Sequence, residues 1–179
     1  MTKWMVYLLF LPVAIVAAGL FGVAHDQISY SISPEYFTRF KFIQFGLAES
    51  AAPDRLRAAF VGWLATWWMG LPLGLLAGAA GFLQRDATAM RRALVRTLPL
   101  MALFTLAFSI AGLFFALSRL QAHGLAAYAN WPIPPGLSDT AAFVMVGQMH
   151  NFAYLGGVLA IPLAWAFNFF LRRRAAAKP

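Results

Sequence analysis

The fold is decided by residues 4–24, which read WMVYLLFLPVAIVAAGLFGVA and contain no charged side chain. An α-helix rises about 1.5 Å per residue, so roughly 20 apolar residues cross a hydrocarbon core of about 30 Å. Residues 4–24 therefore predict a transmembrane helix. Three similar stretches follow at residues 56–83, 98–117 and 141–171. The sequence thus predicts an all-α integral membrane protein, in which residues 1–179 form a single four-helix transmembrane domain.

The composition of the whole chain supports a membrane environment. Hydrophobic residues make up 61% of the 179 residues and charged residues only 11%, whereas a soluble domain usually carries about 25% charged residues. A chain of this length cannot hide so much apolar surface, because a domain of this size still exposes roughly 30% of the surface of its unfolded chain. Cysteine is absent, which excludes disulfides, thiolate nucleophiles and metal sites with cysteine ligands.

The distribution of basic residues predicts the orientation of the helices. Nine of them lie on one side of the predicted bundle: Lys3, Arg85, Arg91, Arg92, Arg96, Arg172, Arg173, Arg174 and Lys178. The other side carries five: Arg39, Lys41, Arg55, Arg57 and Arg119. Only one of the six acidic residues, Asp86, lies on the first side, which therefore holds the whole net charge of +8. Short cytoplasmic loops are enriched in lysine and arginine, so both termini are predicted to be cytoplasmic.

This orientation also predicts location and partners. We expect a multi-pass protein of the cell membrane, and the bias toward Ala, Arg and Pro indicates a bacterial inner membrane. The basic face would lie against anionic lipid headgroups, so the lipid bilayer is the expected partner and no nucleic acid is required. Residues 4–24 follow Lys3 as in a signal peptide. We expect this span to be retained, because it is longer than the usual apolar region of about 7–15 residues.

The first extracytoplasmic connection, residues 25–55, contains the signals of a short amphipathic helix. Ser33 can cap the helix, Pro34 suits its first position and Glu35 complements the helix dipole. An apolar stripe then recurs at helical spacing: Tyr36, Phe40, Ile43 and Leu47. The pattern predicts a helix that lies in the membrane interface or folds over the end of the bundle.

The three histidines of the chain are predicted to lie near one height. Counting about 20 residues from each cytoplasmic boundary places His25 and Asp26 at the extracytoplasmic end of the first span. The same count places His150 and Asn151 at that end of the fourth span. His123 follows the third span and is expected in a solvated loop. We therefore expect the side chains of His25 and His150 to approach each other, directly or across a metal ion.

The pair His150 and Asn151 interrupts an otherwise apolar helix, which is costly unless the two side chains face protein or a wet cavity. Tyr154 lies four residues after His150 and therefore on the same face of the helix. Glu35 could fold down from the first connection. The sequence thus predicts a polar or metal-binding site at the extracytoplasmic face, built from five residues: His25, Asp26, Glu35, His150 and Asn151.

Three interpretations of this site are open. In the first, side chains from separate helices bind zinc or another transition-metal ion, although no H-E-x-x-H motif is present. The ligands would be His25, Asp26, Glu35 and His150. Haem between the two histidines is a weaker variant, because little apolar depth would surround the porphyrin. In the second, a metal-free membrane enzyme acts on a lipid or lipid-linked substrate. Its catalytic candidates are His25, Asp26, His150 and Tyr154. In the third, the histidines only fasten the connections to the bundle.

The sequence leaves the reaction and the substrate open. Charged residues are absent near the middle of every span, which argues against a transporter with an ion path. A structural or accessory subunit of a membrane complex, or a homo-oligomer, agrees with small residues that allow close helix packing. These residues are Gly70, Gly74, Gly78 and Gly81.

Overall fold

The computed structural model describes residues 1–177 and is all-helical over that range. Four of its helices are long and apolar enough to span a membrane: α1 (Lys3–Ile32), α2 (Asp54–Leu83), α3 (Ala87–His123) and α4 (Thr140–Ala176). Helix α2 contains two 3₁₀ stretches, Trp67–Met69 and Ala79–Leu83. Lys178, one of the predicted cytoplasmic cations, lies outside the described residues.

The four helices alternate in direction. Helix α2 runs antiparallel to α1, since Gly62 packs on Gly22 near one end and Lys3 donates to the carbonyl of Phe82 near the other. Helix α4 is antiparallel to α3, where the hydroxyl of Ser109 donates to the carbonyl of Met149. One end of the bundle carries most of the arginines. The opposite end, here called the capped end, is covered by residues 33–53 and 124–139.

Glycines bring α1 and α2 into backbone contact. A side chain on Gly22 would clash with the carbonyl oxygen of Gly62, and one on Gly70 would lie 2.6 Å from the carbonyl oxygen of Ala14. Thr66 reinforces the contact, because its hydroxyl donates to the carbonyl of Ala18 at 2.8 Å. Small residues of this kind allow helices to approach closely where no hydrophobic effect drives them together.

The helices are longer than the apolar stretches that predicted them. Helix α1 continues to Ile32, so His25 and Asp26 lie inside it and not at its exit. His123 is the last residue of α3, where a loop was expected, and it is exposed. The number of apolar residues reflects the thickness of the hydrocarbon core, whereas a helix ends where its caps lie. The backbone N–H of Ser33 closes α1 on the carbonyl of Ser29.

The predicted helix of the first connection is present, but its buried face is shifted. Ser33 accepts the N–H of Tyr36, and helical turns follow over Pro34–Tyr36, Phe37–Lys41 and Phe42–Gln44. We call these turns the cap helix. Its middle turn is π-helical and holds one residue more than an α turn, which shifts every later side chain around the helix. Lys41 is therefore buried, and Ile43, expected on the buried stripe, is 62% exposed.

Candidate functional site

Glu35 joins the two connections of the capped end. Its carboxylate oxygens accept the backbone N–H groups of Ser138 and Asp139, each at 2.9 Å, immediately before α4 begins. These two hydrogen bonds hold the pKa of Glu35 below its ordinary value. Glu35 therefore does not fold down to the histidines, and the structure leaves it outside the group that was predicted as a metal site.

His25 and Asp26 of α1 meet His150 of α4 at the centre of the bundle. Oxygen Oδ1 of Asp26 lies 3.1 Å from Nδ1 of His25 and 3.2 Å from Nε2 of His150. The centres of the two imidazole rings are 4.7 Å apart and the rings are perpendicular. All three residues are at most 8% exposed. The expected approach of His25 and His150 is therefore observed, with the carboxylate of Asp26 between them.

The remaining ring nitrogens are held by specific acceptors. Nδ1 of His150 lies 2.9 Å from the carbonyl oxygen of Val146, which can only accept, so this nitrogen carries a proton. Nε2 of His25 lies 2.8 Å from the hydroxyl oxygen of Ser109. That hydroxyl donates to the carbonyl of Met149, so its oxygen accepts the N–H of His25. The tautomers are assigned from these partners.

In the assigned tautomers, Nδ1 of His25 and Nε2 of His150 carry no proton, and both lie beside Oδ1 of Asp26. A neutral His25 then directs the lone pair of Nδ1 at Asp26, and a neutral His150 does the same with Nε2. The three ligand atoms lie within 4.8 Å of one another. Burial removes the water that would otherwise solvate them, so a cation at the centre, either a shared proton or a metal ion, would stabilise this arrangement.

Aromatic rings enclose the histidines. The ring of Tyr36 lies 4.9 Å from that of His150, and Phe37 lies 6.3 Å from it. Phe21 lies 5.8 Å from His25. Tyr36 and Phe37 both come from the cap helix, so the cap helix forms the wall of the site on the side of His150.

An apolar cavity of about 120 Å³ begins at this group. It lies among all four spanning helices and reaches back along α1 as far as Phe10. The helical path from Phe10 to His25 is roughly 22 Å at a rise of about 1.5 Å per residue. Small side chains predominate in its lining, among them Ala14, Ala17, Ala18, Gly74, Ala102 and Gly157.

A second cavity, of about 280 Å³, lies between the cap helix and residues 124–139, which connect α3 to α4. Trp131, Phe40 and Lys41 line it, together with Asn151. His150 and Tyr154 line both cavities, so the two spaces meet at the histidine group. Asn151, predicted as part of the polar site, therefore belongs to this second cavity and makes no hydrogen bond with Asp26 or the histidines in the described chain.

Two functional residues were missed by reasoning from the sequence. Ser109 is a hydroxyl residue in an apolar span, and such a residue often pairs with a polar group on another helix. In the sequence, Lys41 stands among the aromatic residues of the predicted helix, where its charge alone does not indicate burial. These contexts single out both residues but do not give their contacts.

No protein-family model, no curated protein and no solved structure matches this chain.

Proposed function

We propose that this protein is a membrane metalloenzyme with one transition-metal ion, zinc in the first instance, bound by three atoms. These atoms are Nδ1 of His25, Oδ1 of Asp26 and Nε2 of His150. The observation that carries the proposal is the convergence of these three atoms, within 4.8 Å of one another, in a buried space. Two imidazoles and one carboxylate are a common ligand set for zinc and for non-haem iron.

The outer hydrogen bonds support a metal site. Histidine ligands usually donate their second N–H to a carbonyl, a carboxylate or a water, which orients the ring toward the metal. His150 donates to the carbonyl of Val146, and His25 donates to the hydroxyl of Ser109. Both rings are therefore oriented toward the space beside Asp26 before any ion binds.

The number of ligands supports a catalytic site over a structural one. Structural zinc sites are closed by four protein ligands, whereas catalytic sites have three and keep a position for water or substrate. Here three ligands border a cavity that is open along α1. Zinc in such a site lowers the pKa of its bound water to about 7, so the reaction class that it favours is hydrolysis.

A metal-free enzyme is the second candidate. A proton shared between Asp26 and His150 would also relieve the repulsion, and the hydroxyl of Tyr154 borders the same cavities. The pair would then act in general acid–base catalysis. Haem is disfavoured, because Oδ1 of Asp26 lies within hydrogen-bond distance of both rings and leaves no space for a porphyrin between them.

The charge distribution supports an orientation in which the capped end faces out of the cytoplasm. The arginine-rich end then carries both termini and lies against anionic headgroups. In a bacterium this is the inner membrane, and the site lies toward its outer surface.

Metal analysis of the detergent-purified protein tests the proposal. We expect one equivalent of zinc or another transition metal per chain, lost in His25→Ala and in His150→Ala. His123→Ala is the matched control, because His123 is exposed at the end of α3 and should keep the metal. Circular dichroism and size-exclusion chromatography confirm that each variant is folded. Wild-type protein without stoichiometric metal, or a folded His150→Ala variant that retains it, would contradict the proposal.

A further inference from the structure

We propose that this site acts on an anionic amphiphile, whose hydrocarbon chain lies in the apolar cavity and whose phosphate group lies beside Lys41. The inference rests on the metal site proposed above and adds the class of its substrate. It follows from the two cavities, which differ in chemistry and meet at His150 and Tyr154.

The apolar cavity suits a single hydrocarbon chain. Away from His25, Asp26 and His150, its lining consists mostly of apolar side chains and glycines, and it follows α1 over roughly 22 Å of helix. Gly157 borders open space, since a Cβ atom there would meet only Cδ1 of Leu73, at 3.8 Å. An apolar cavity does not hold water, whereas a chain from the surrounding lipid can fill it.

The second cavity contains a cation with unused hydrogen-bond donors. Lys41 is 8% exposed, and its Nζ donates to Oε1 of Gln44 at 3.0 Å. An ammonium group has three donors. Its other neighbours are ring faces, of which Phe40 is centred 5.0 Å away. Among residues 1–177, no carboxylate forms an ion pair with Lys41. A buried charge is costly until it is paired, so an anionic group in this cavity would stabilise it.

The π turn of the cap helix is what places this cation in the cavity. The extra residue of the turn Phe37–Lys41 rotates Lys41 toward the bundle, away from the exposed face. Turns of this kind are rare and occur frequently at functional sites. Burial also lowers the pKa of Lys41, and a bound anion would favour its charged form.

The two cavities meet at His150 and Tyr154. The phosphoester bond, which joins the anionic group to the hydrocarbon chain of the ligand, would therefore lie near the metal ligands. A ligand with its chain in the apolar cavity and its headgroup beside Lys41 must pass His150 and Tyr154. The hydrolysis is balanced: water adds across the phosphoester bond, which breaks to give inorganic phosphate and an alcohol. The hydroxyl of Tyr154 is available to the leaving oxygen.

Equilibrium binding of dodecylphosphonate, whose P–C bond is not hydrolysed, to the metal-loaded protein in neutral maltoside micelles tests the inference. We expect one molecule per chain, and at least about tenfold weaker binding in Lys41→Met, because a charge-assisted hydrogen bond is lost. Lys41→Arg should bind as the wild type does. Arg39→Met is the control, because Arg39 is an exposed cation on the same cap helix. Two probes isolate the parts of the ligand: butylphosphonate lacks the long chain, and dodecyltrimethylammonium reverses the charge.

The apolar half is tested separately by Gly157→Leu, which fills the cavity and should weaken binding of dodecylphosphonate by a similar factor while metal is retained. Equal binding by wild type and Lys41→Met, or equal binding of the cationic probe, would overturn the inference. Metal content is measured on every sample. Metal that depends on His150 without Lys41-dependent binding rejects the substrate class alone, whereas Lys41-dependent binding in a metal-free protein rejects the metal site alone.

Discussion

At the scale of single residues, Ser109 determines how His25 is oriented. Its hydroxyl oxygen accepts the N–H of His25 from α1, and its proton goes to the carbonyl of Met149 in α4. One side chain of α3 thus links three helices at the height of the site. Without it, the ring of His25 loses the contact that keeps Nδ1 directed at Asp26.

Ser109→Ala should weaken metal binding without unfolding the protein. Loss of an outer hydrogen bond to a histidine ligand typically lowers metal affinity by about 10–100-fold. Competition with a chelator of known affinity measures the effect. Ser118→Ala serves as the control, because Ser118 lies on the same helix, is exposed and bonds only to the nearby carbonyl of Phe115. Equal affinity of the two variants would show that Ser109 does not orient the ligand.

Glu35 should make the stability of the capped end depend on pH. Its pKa is lowered from 4.5 by two backbone N–H donors, so the folded protein binds fewer protons than the unfolded chain in this region. The stabilisation is complete above about pH 4.5 and is lost as the pH falls through the lowered pKa. Melting temperatures measured from pH 6 to 3 should therefore fall less steeply in Glu35→Gln than in the wild type. Glu49→Gln, an exposed control in the same connection, should retain the wild-type slope.

At the scale of helices, the contact of α1 with α2 determines where His25 and Asp26 lie. Gly22 is one turn before His25 and packs directly on the backbone of Gly62. A backbone cannot move aside as a side chain can. Any atom added at this contact must therefore separate the two helices and displace the metal ligands of α1.

Gly22→Ala should destabilise the protein by about 1–3 kcal/mol and lower its metal content, because overpacking at a backbone contact cannot be relieved locally. Gly157→Ala is the matched control, since it adds the same methyl group beside a cavity in α4. Thermal unfolding and metal analysis are run on both. An equally stable Gly22→Ala variant with full metal content would contradict the role of this contact.

The existence of the four helices and the approach of His25 to His150 could be predicted from the sequence, because both depend on counting apolar residues along one chain. The expected common height of all three histidines is wrong for His123, which lies 14 residues beyond Ser109 on α3 and therefore roughly 21 Å farther along the helix than the contact with His25. The hydrogen-bond partners of His25 and His150 could not be predicted from the sequence. Ser109 contacts His25 because α3 packs on α1 at this point. Lys41 is buried because of a π turn that no local sequence pattern predicts. The role of Glu35 could not be predicted for the same reason, because the N–H groups that its carboxylate accepts lie about 100 residues later in the chain.

At the scale of the whole molecule, the bundle has two chemically different ends. The arginine-rich end has the composition of a cytoplasmic face, and the capped end encloses the histidine group beneath the cap helix. The proposed lipid substrate fits this arrangement, since its chain and its headgroup would lie in separate cavities on either side of His150.

The proposed orientation can be tested with single cysteines, because the natural chain has none. A membrane-impermeant maleimide should label Glu49→Cys, in the first connection, on intact cells. It should label Thr88→Cys, at the start of α3, only after lysis. Both positions are exposed, so accessibility to solvent does not distinguish them. Labelling of Thr88→Cys on intact cells, with Glu49→Cys protected, would reverse the orientation.

X-ray absorption at the edge of the bound metal tests the central claim most directly. The proposed site predicts two imidazole nitrogens and at least one oxygen at about 2.0–2.2 Å from zinc. In His150→Ala this spectrum should be absent, because the variant is expected to lose the metal. A wild-type spectrum with oxygen ligands alone, or one that does not change in His25→Ala and His150→Ala, would contradict it.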